Sequence, residues 1–180
     1  MQVLPRPQPG VENSTVQRTI EQRLQLIEDR EEILQLQARY VNLNDGGWDG
    51  PTHRFPDAVA ALFTEDGIWE GTETSGRAQG RAAIAALFRE FGAIPFIVHY
   101  VTNPLIVIEA DTAEGEWHAI VTSTMPGGQA LWTLGKYINS YVRASEGWRY
   151  KTLRFVAAAN SPYELGWGKA QFVGREMSFR

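Results

Sequence analysis

The stretch Phe96-Ile97-Val98-His99-Tyr100-Val101-Thr102-Asn103 decides how this chain is read. Before it, apolar residues recur at helical spacing. From it onward the repeat drops to two, the period of a strand. Strands are predicted at 96–109, 116–125, 129–143 and 147–158. Their connectors, Ala110-Asp111-Thr112-Ala113-Glu114-Gly115, Pro126-Gly127-Gly128 and Ala144-Ser145-Glu146-Gly147, read as short hairpin turns. Helices followed by a strand meander define an α+β fold, with a mainly antiparallel sheet curling around the helices.

Working outward towards the amino terminus, residues 1–13 read as a flexible Pro-rich tail. Ser14-Thr15-Val16-Gln17 has the form of a capping box. Ile20, Leu24, Ile27, Leu34, Tyr40 and Leu43 then repeat at helical spacing, with Ile33, Leu36 and Val41 widening the stripe, up to Asn44-Asp45-Gly46-Gly47. Nearly thirty residues is long for a globular helix. A break near Glu28-Asp29-Arg30-Glu31 is therefore expected, the first half packing on another subunit. A second helix is predicted over Phe55 to Phe63, a strand over Gly67 to Glu70, a polar loop over Gly71 to Gly80, and a third helix over Arg81 to Phe91. One domain spans 14–158. Residues 159–180, carrying Tyr163, Trp167, Phe172 and Val173, are expected to dock as an arm or lid.

Composition narrows the function classes. The 180 residues hold 43% hydrophobic side chains and a net charge of −4, with no basic cluster suited to nucleic acid. No apolar run approaches a membrane span, and residues 1–10 lack the apolar core of a signal peptide, so a cytoplasmic protein is expected. With no cysteine, disulfides, thiolate nucleophiles and Cys-ligated metals are excluded. The histidines lack metal-ligand spacing, and no glycine-rich loop follows a strand to hold a phosphate; neither metal nor cofactor is expected.

Only three histidines are present. His99 lies in an apolar strand, where an imidazole is unusual. Asp45 closes the long helical pattern and is a natural partner, because a carboxylate fixes an imidazole's tautomer and raises its basicity. Read without further context, Asp45 is helix-terminal punctuation before Gly46-Gly47, and His99 is a core histidine bonded to a backbone carbonyl. His53, beside Pro51 and Arg54, reads as a surface residue. His118 points outward if Trp117 points inward. Tyr40, Trp69, Trp117, Tyr137, Asn139 and Tyr141 are core candidates, a few of which could wall a pocket. Tyr137, Asn139 and Tyr141 share one face of their strand. Asn103 is either a turn residue before Pro104 or a partner near His99. Arg154 is either a surface ion-pairing residue or a stabiliser of a leaving anion.

Asp29-Arg30-Glu31-Glu32-Ile33, Ala38-Arg39-Tyr40, Asp45-Gly46-Gly47-Trp48-Asp49, Leu62-Phe63-Thr64-Glu65-Asp66-Gly67, Gly80-Arg81-Ala82-Ala83-Ile84, His99-Tyr100-Val101-Thr102-Asn103 and Gly147-Trp148-Arg149-Tyr150 occur in an informative order. Over roughly residues 20–158 the chain resembles the SnoaL-like branch of the nuclear transport factor 2-like superfamily, the cystatin-like α+β cone. Cofactor-free lyases of that branch include scytalone dehydratase, bile-acid 7α-dehydratase and hexachlorocyclohexane dehydrochlorinase. They carry an Asp at the end of the first helix and a His on the first long strand, as a catalytic dyad. The resemblance puts Asp45 and His99 in those roles and Tyr40 at a pocket-lining position. It departs at the second histidine of scytalone dehydratase, from which His118 falls short, and at the dehydrochlorinase arginine, where Leu153 aligns with Arg154 one residue on.

The resemblance implies a dehydratase-type lyase acting on an apolar, cyclic or aromatic hydroxylated small molecule, with no cofactor. Asp45 and His99 would be catalytic; Tyr40, Trp69, Asn103, Trp117, Tyr137, Asn139 and Arg154 would contact substrate. An isomerase or polyketide-type aldol cyclase would use the same pocket. A non-catalytic subunit, like the β subunits of ring-hydroxylating dioxygenases, shares the fold. A homodimer or homotrimer is expected.

Overall fold

The computed structural model describes residues 18–47, 50–72 and 74–173. The expected 1–13 tail, the Ser14–Gln17 capping box and the last seven residues of the arm lie outside these. Helix α1 spans Ile20–Asn44, starting at a capping box formed by Thr19 and Gln22. The Thr19 hydroxyl accepts from the Gln22 amide at 3.2 Å, and the Gln22 side chain accepts from the Thr19 amide at 2.9 Å.

The expected break at Glu28–Glu31 does not occur. Gln25 donates to Asp29 across one helical turn at 3.1 Å, and Gln35 does the same to Glu31 at 2.9 Å, spanning the segment with i,i+4 contacts. Asp29, buried, also takes Arg143 Nη2 at 2.6 Å and Trp148 Nε1 at 3.2 Å, fastening the helix to the far strands. The face that enters the core is Ile33, Leu36 and Tyr40, with Leu34 and Leu43 only half-buried. Ile20 and Ile27 are 77% and 65% exposed, because the first turns of α1 extend past the sheet's cover.

Helix α2 (Pro56–Ala61) starts on a proline, whose missing N–H costs nothing in the first turn. Strand β1 (Phe63–Glu70) begins earlier than expected and turns back into β2 (Arg77–Gln79), where a polar loop was expected. The pairing of Trp69 with Ala78 puts Ala78 in the core, so Ala78 and its two polar neighbours, Arg77 and Gln79, form an edge strand. Helix α3 (Arg81–Phe91) buries Ile84, Ala85 and Phe88.

Strands β3 (Phe96–Glu109), β4 (Thr112–Thr124), β5 (Ala130–Ala144) and β6 (Gly147–Pro162) form the long meander. The β3–β4 turn is Ala110-Asp111, shorter than the six residues expected, with Ala110 at a φ of 51°. Gly115 lies within β4 rather than in that turn. A Cβ there would meet the Tyr141 ring at 3.0 Å, so the glycine serves packing rather than bending.

The six strands run β2-β1-β6-β5-β4-β3, all antiparallel except β1 beside β6. This is the mixed, curved sheet around helices that the sequence implies. The core of Ile33, Leu36, Tyr40, Phe63, Tyr150 and Leu153 lies between α1 and the sheet. After β6, Tyr163 and Trp167 pack on Trp132, and Asn160 bonds by backbone to Gln171 and Val173, so the chain through Val173 is docked. Among the described residues no helix is long and apolar enough to cross a membrane.

Candidate active site

β3 is an edge strand, and the end of α1 covers its free side. The Gly46 amide donates to the Ile97 carbonyl at 3.0 Å. Two residues along, the outward amide of His99 donates to the Asp45 carboxylate, 3.1 Å from Oδ1 and 3.2 Å from Oδ2. At these two backbone groups, which an edge strand would otherwise leave unpaired, the edge is capped. The same carboxylate reaches the His99 ring, with Nδ1 2.6 Å from Oδ1. The side chains are nearly enclosed, 9% exposed for His99 and 4% for Asp45. A carboxylate only accepts, so Nδ1 carries a proton, and in the neutral ring Nε2 is left with the lone pair.

His99 lines a cavity of about 170 Å³ between helices and sheet. Asp45 does not line it; it stands behind the ring. Tyr40 and Tyr137 lie edge to face with ring centroids 6.1 Å apart, and Phe155 is 5.0 Å from Tyr137. Trp69 meets Phe88 and Phe91, each at 5.4 Å. The β1–β2 connection adds Thr72 and Ser75, and the sheet adds Ser123, Thr133 and Asn160. Trp69 Nε1 donates to the Tyr40 hydroxyl at 2.8 Å, leaving the tyrosine's own proton to be given elsewhere. Burial holds the Tyr40 and Tyr137 phenols well above their ordinary range, so both remain protonated donors.

Of the predicted site residues, the structure gathers His99, Tyr40, Trp69 and Tyr137 around this cavity, with Asp45 at its back. The others lie elsewhere. Trp117 is buried but donates to the Tyr141 hydroxyl at 3.0 Å, further along the sheet. Asn139 shares the inward face with Tyr137 and Tyr141 as its parity requires. It is spent, however, on Gln37 and Tyr141, at 3.1 and 3.0 Å. Asn103 sits at an irregularity of β3, with a φ of 53°, and meets exposed His118 at 3.3 Å on the outer face. Arg154 follows inward Leu153 and so points out, to Glu70 at 3.1 Å.

His53 is the correction that matters most. Expected on the surface, it is buried against Phe88 and Phe91, with centroids at 5.7 and 5.6 Å, and it lines the cavity. The residues after α1 fold back on the helix end. The His53 amide donates to the Asn44 carbonyl at 3.1 Å, and the Thr52 hydroxyl to the Ile94 carbonyl at 2.6 Å. Burial first, and then neighbouring His99, push the His53 ring's pKa down to about 4, leaving it neutral. Asn44, Phe88 and Phe91 were also not expected at the site. Only Phe88 and Phe91 had a sequence signal, the apolar stripe of the third helix.

Helices packed on a six-stranded mixed, mainly antiparallel sheet are the cystatin-like architecture of nuclear transport factor 2-like proteins, which a solved protein of Novosphingobium aromaticivorans, 29% identical with a TM-score of 0.60, shares. The chain belongs to the SnoaL-like domain family, which it matches over residues 25–154. No curated protein sequence matches it significantly. Among solved structures, a protein of Novosphingobium aromaticivorans proposed to be an aromatic ring hydroxylase is 27% identical. That alignment covers 76% of this chain and 94% of the other, with a TM-score of 0.68. A hexachlorocyclohexane dehydrochlorinase, LinA type 2, is 18% identical over 87% of this chain and 97% of its own, with a TM-score of 0.69. A protein of Novosphingobium aromaticivorans proposed to be a scytalone dehydratase is 19% identical over 85% and 97%, with a TM-score of 0.66.

Proposed function

We propose that this protein is a lyase of the dehydratase type, which removes a carbon-bound proton from a small cyclic substrate through an Asp45–His99 dyad. The observation that carries this reading is the Asp45 carboxylate 2.6 Å from His99 Nδ1, with the ring lining an aromatic-walled cavity. Nε2 takes the proton, and Asp45 stabilises the imidazolium that forms. The electrons of the broken C–H bond become the new carbon–carbon double bond as the neighbouring hydroxyl or halide leaves. Tyr40 or Tyr137 gives a hydrogen bond to the oxygen on which charge develops. For a hydroxyl leaving group, the proton held at Nε2 completes the water that departs. The names of the dehydrochlorinase and dehydratase neighbours support an elimination; the same first step also serves an isomerase or aldol cyclase.

Cavity size narrows the substrate. A cavity of about 150 Å³ accepts a benzene-sized guest, so about 170 Å³ has room for at least one six-membered ring beside His99. The exposed Ile20, Leu24 and Ile27 support association of two or three copies.

The test is to incubate wild type and His99→Ala with hydroxylated and halogenated six-membered rings, hexachlorocyclohexane included, following olefin formation by NMR in D2O. Olefin made by wild type and not by His99→Ala supports the proposal; equal turnover by both refutes it. The ring-hydroxylase neighbour favours one other reading, a non-catalytic partner of a ring-hydroxylating enzyme. In that case neither dyad substitution would alter that enzyme's turnover.

A further inference from the structure

Strand β1 stops at Glu70, opposite Arg154, while β6 beside it runs on to Pro162. The arm next meets that edge of β6 at Asn160, whose amide donates to the Gln171 carbonyl and whose carbonyl accepts from the Val173 amide, each at 2.8 Å. Among the described residues, no strand pairs with positions 155–159 on that side. The sheet therefore has a gap between the end of β1 and the arm. β6 is irregular across it, since Gly135 pairs with Ala157 and Leu134 with Ala159, an extra residue of the kind that bends a strand. The β1–β2 connection forms the opposite bank. It is held in shape by the Ser75 and Gly76 amides, which both donate to the Thr72 carbonyl, at 3.0 and 3.1 Å.

A hollow of about 630 Å³ lies in this gap. It adjoins the cavity that His99 lines, because Gly71, Thr72, Thr74, Phe155 and Asn160 stand in the walls of both. Val156, Ala157, Phe172 and Val173 line the outer hollow alone, and Val156 and Val173 are 41% and 43% exposed. Concave, mainly apolar walls of this kind are what small-molecule sites are made of. The charged residues of the hollow, Glu70 and Arg154, pair with each other at 3.1 Å, which suits it to an uncharged guest. A substituent that leaves a ring beside His99 in the direction of Phe155 continues into this space. We propose that the outer hollow is a second substrate subsite, so that the substrate has two parts: a reacting ring beside His99 and an uncharged apolar arm that passes Thr72 and Phe155. The subsite rests on the lyase reading only for which part of the molecule reacts.

Phenol and 4-butylphenol are titrated by NMR into the full chain and into Ala157→Phe, a substitution confined to the outer hollow. Each buried methylene is worth about a fourfold gain, so wild type should bind 4-butylphenol about tenfold or more tighter than phenol. In Ala157→Phe the new ring fills the hollow, and the ratio of the two affinities should fall towards unity. In case that variant fails to fold, wild type serves alone: the terminal methyl of the butyl chain should show cross-relaxation with the Val156 methyls and none with the Phe88 ring. Equal affinities in wild type, a ratio unchanged in Ala157→Phe, or a butyl methyl that meets Phe88 instead of Val156 overturns the proposal. None of these measurements needs turnover, so they are independent of whether His99→Ala abolishes elimination.

Discussion

The Asp45 carboxylate holds His99 at two points, the ring Nδ1 at 2.6 Å and the backbone amide at 3.1 Å. The first sets a tautomer; the second fixes the strand on which the ring rides. The two roles separate by substitution. Asp45→Asn keeps an oxygen for the amide, so its stability should fall by less than about 1 kcal/mol, whereas Asp45→Ala strands the amide and should cost about 1–3 kcal/mol. Both should lower turnover on a true substrate by about 10²–10⁴-fold. Thermal unfolding alongside kcat checks both halves.

His53 makes stability depend on pH. Its ring titrates at about 4 in the fold, against 6.5 when free, the causes being burial, then His99, opposed by Asp45 and the Phe91 carbonyl. A depressed folded pKa gives stability that is complete above 6.5 and lost as pH falls towards 4, because the unfolded chain takes the proton first. The full shift corresponds to about 3 kcal/mol. Between pH 6.5 and 4 the melting temperature of His53→Gln should fall less than that of wild type.

Tyr40→Phe removes the hydroxyl that accepts from Trp69 Nε1. The buried indole N–H then has no partner, at a cost of about 1–3 kcal/mol. Turnover should drop about 10-fold or more with KM little changed, if the phenol serves the developing charge rather than ground-state binding. A rise in KM alone would assign it to binding.

Asp29→Asn should destabilise without touching the cavity. Its carboxylate gathers Arg143, Trp148 and Gln25, and Arg143 holds its pKa below the ordinary carboxylate range. Because Arg143 is partly exposed, the loss should be about 2–3 kcal/mol, below that of a fully buried pair. Chemical denaturation measures it, and ligand binding should remain as in wild type.

The meander was legible because its period of two and its glycine-bearing turns are local properties. Only where packing overrides locality did the reading slip. Gly115 reads as a turn residue until Tyr141 is seen against it, and β2 is too short and polar to announce itself before pairing with β1. The positions of Asp45 and His99 came from the resemblance, and the structure brings them together. Asn139 was placed on the correct face but not at the correct height, since parity fixes a side and says nothing about distance along the cone. His53 was out of reach, because it lies in a loop whose path depends on Gly46, Thr52 and the end of α1, none of which carries a periodicity.

Ring nitrogen NMR of His99, in wild type and Asp45→Asn, addresses the central claim most directly. The dyad requires one tautomer near neutral pH, with a protonated Nδ1 and a bare Nε2, and a loss of that bias when the carboxylate becomes an amide. A proton found on Nε2 in wild type, or a tautomer indifferent to Asp45, would contradict it.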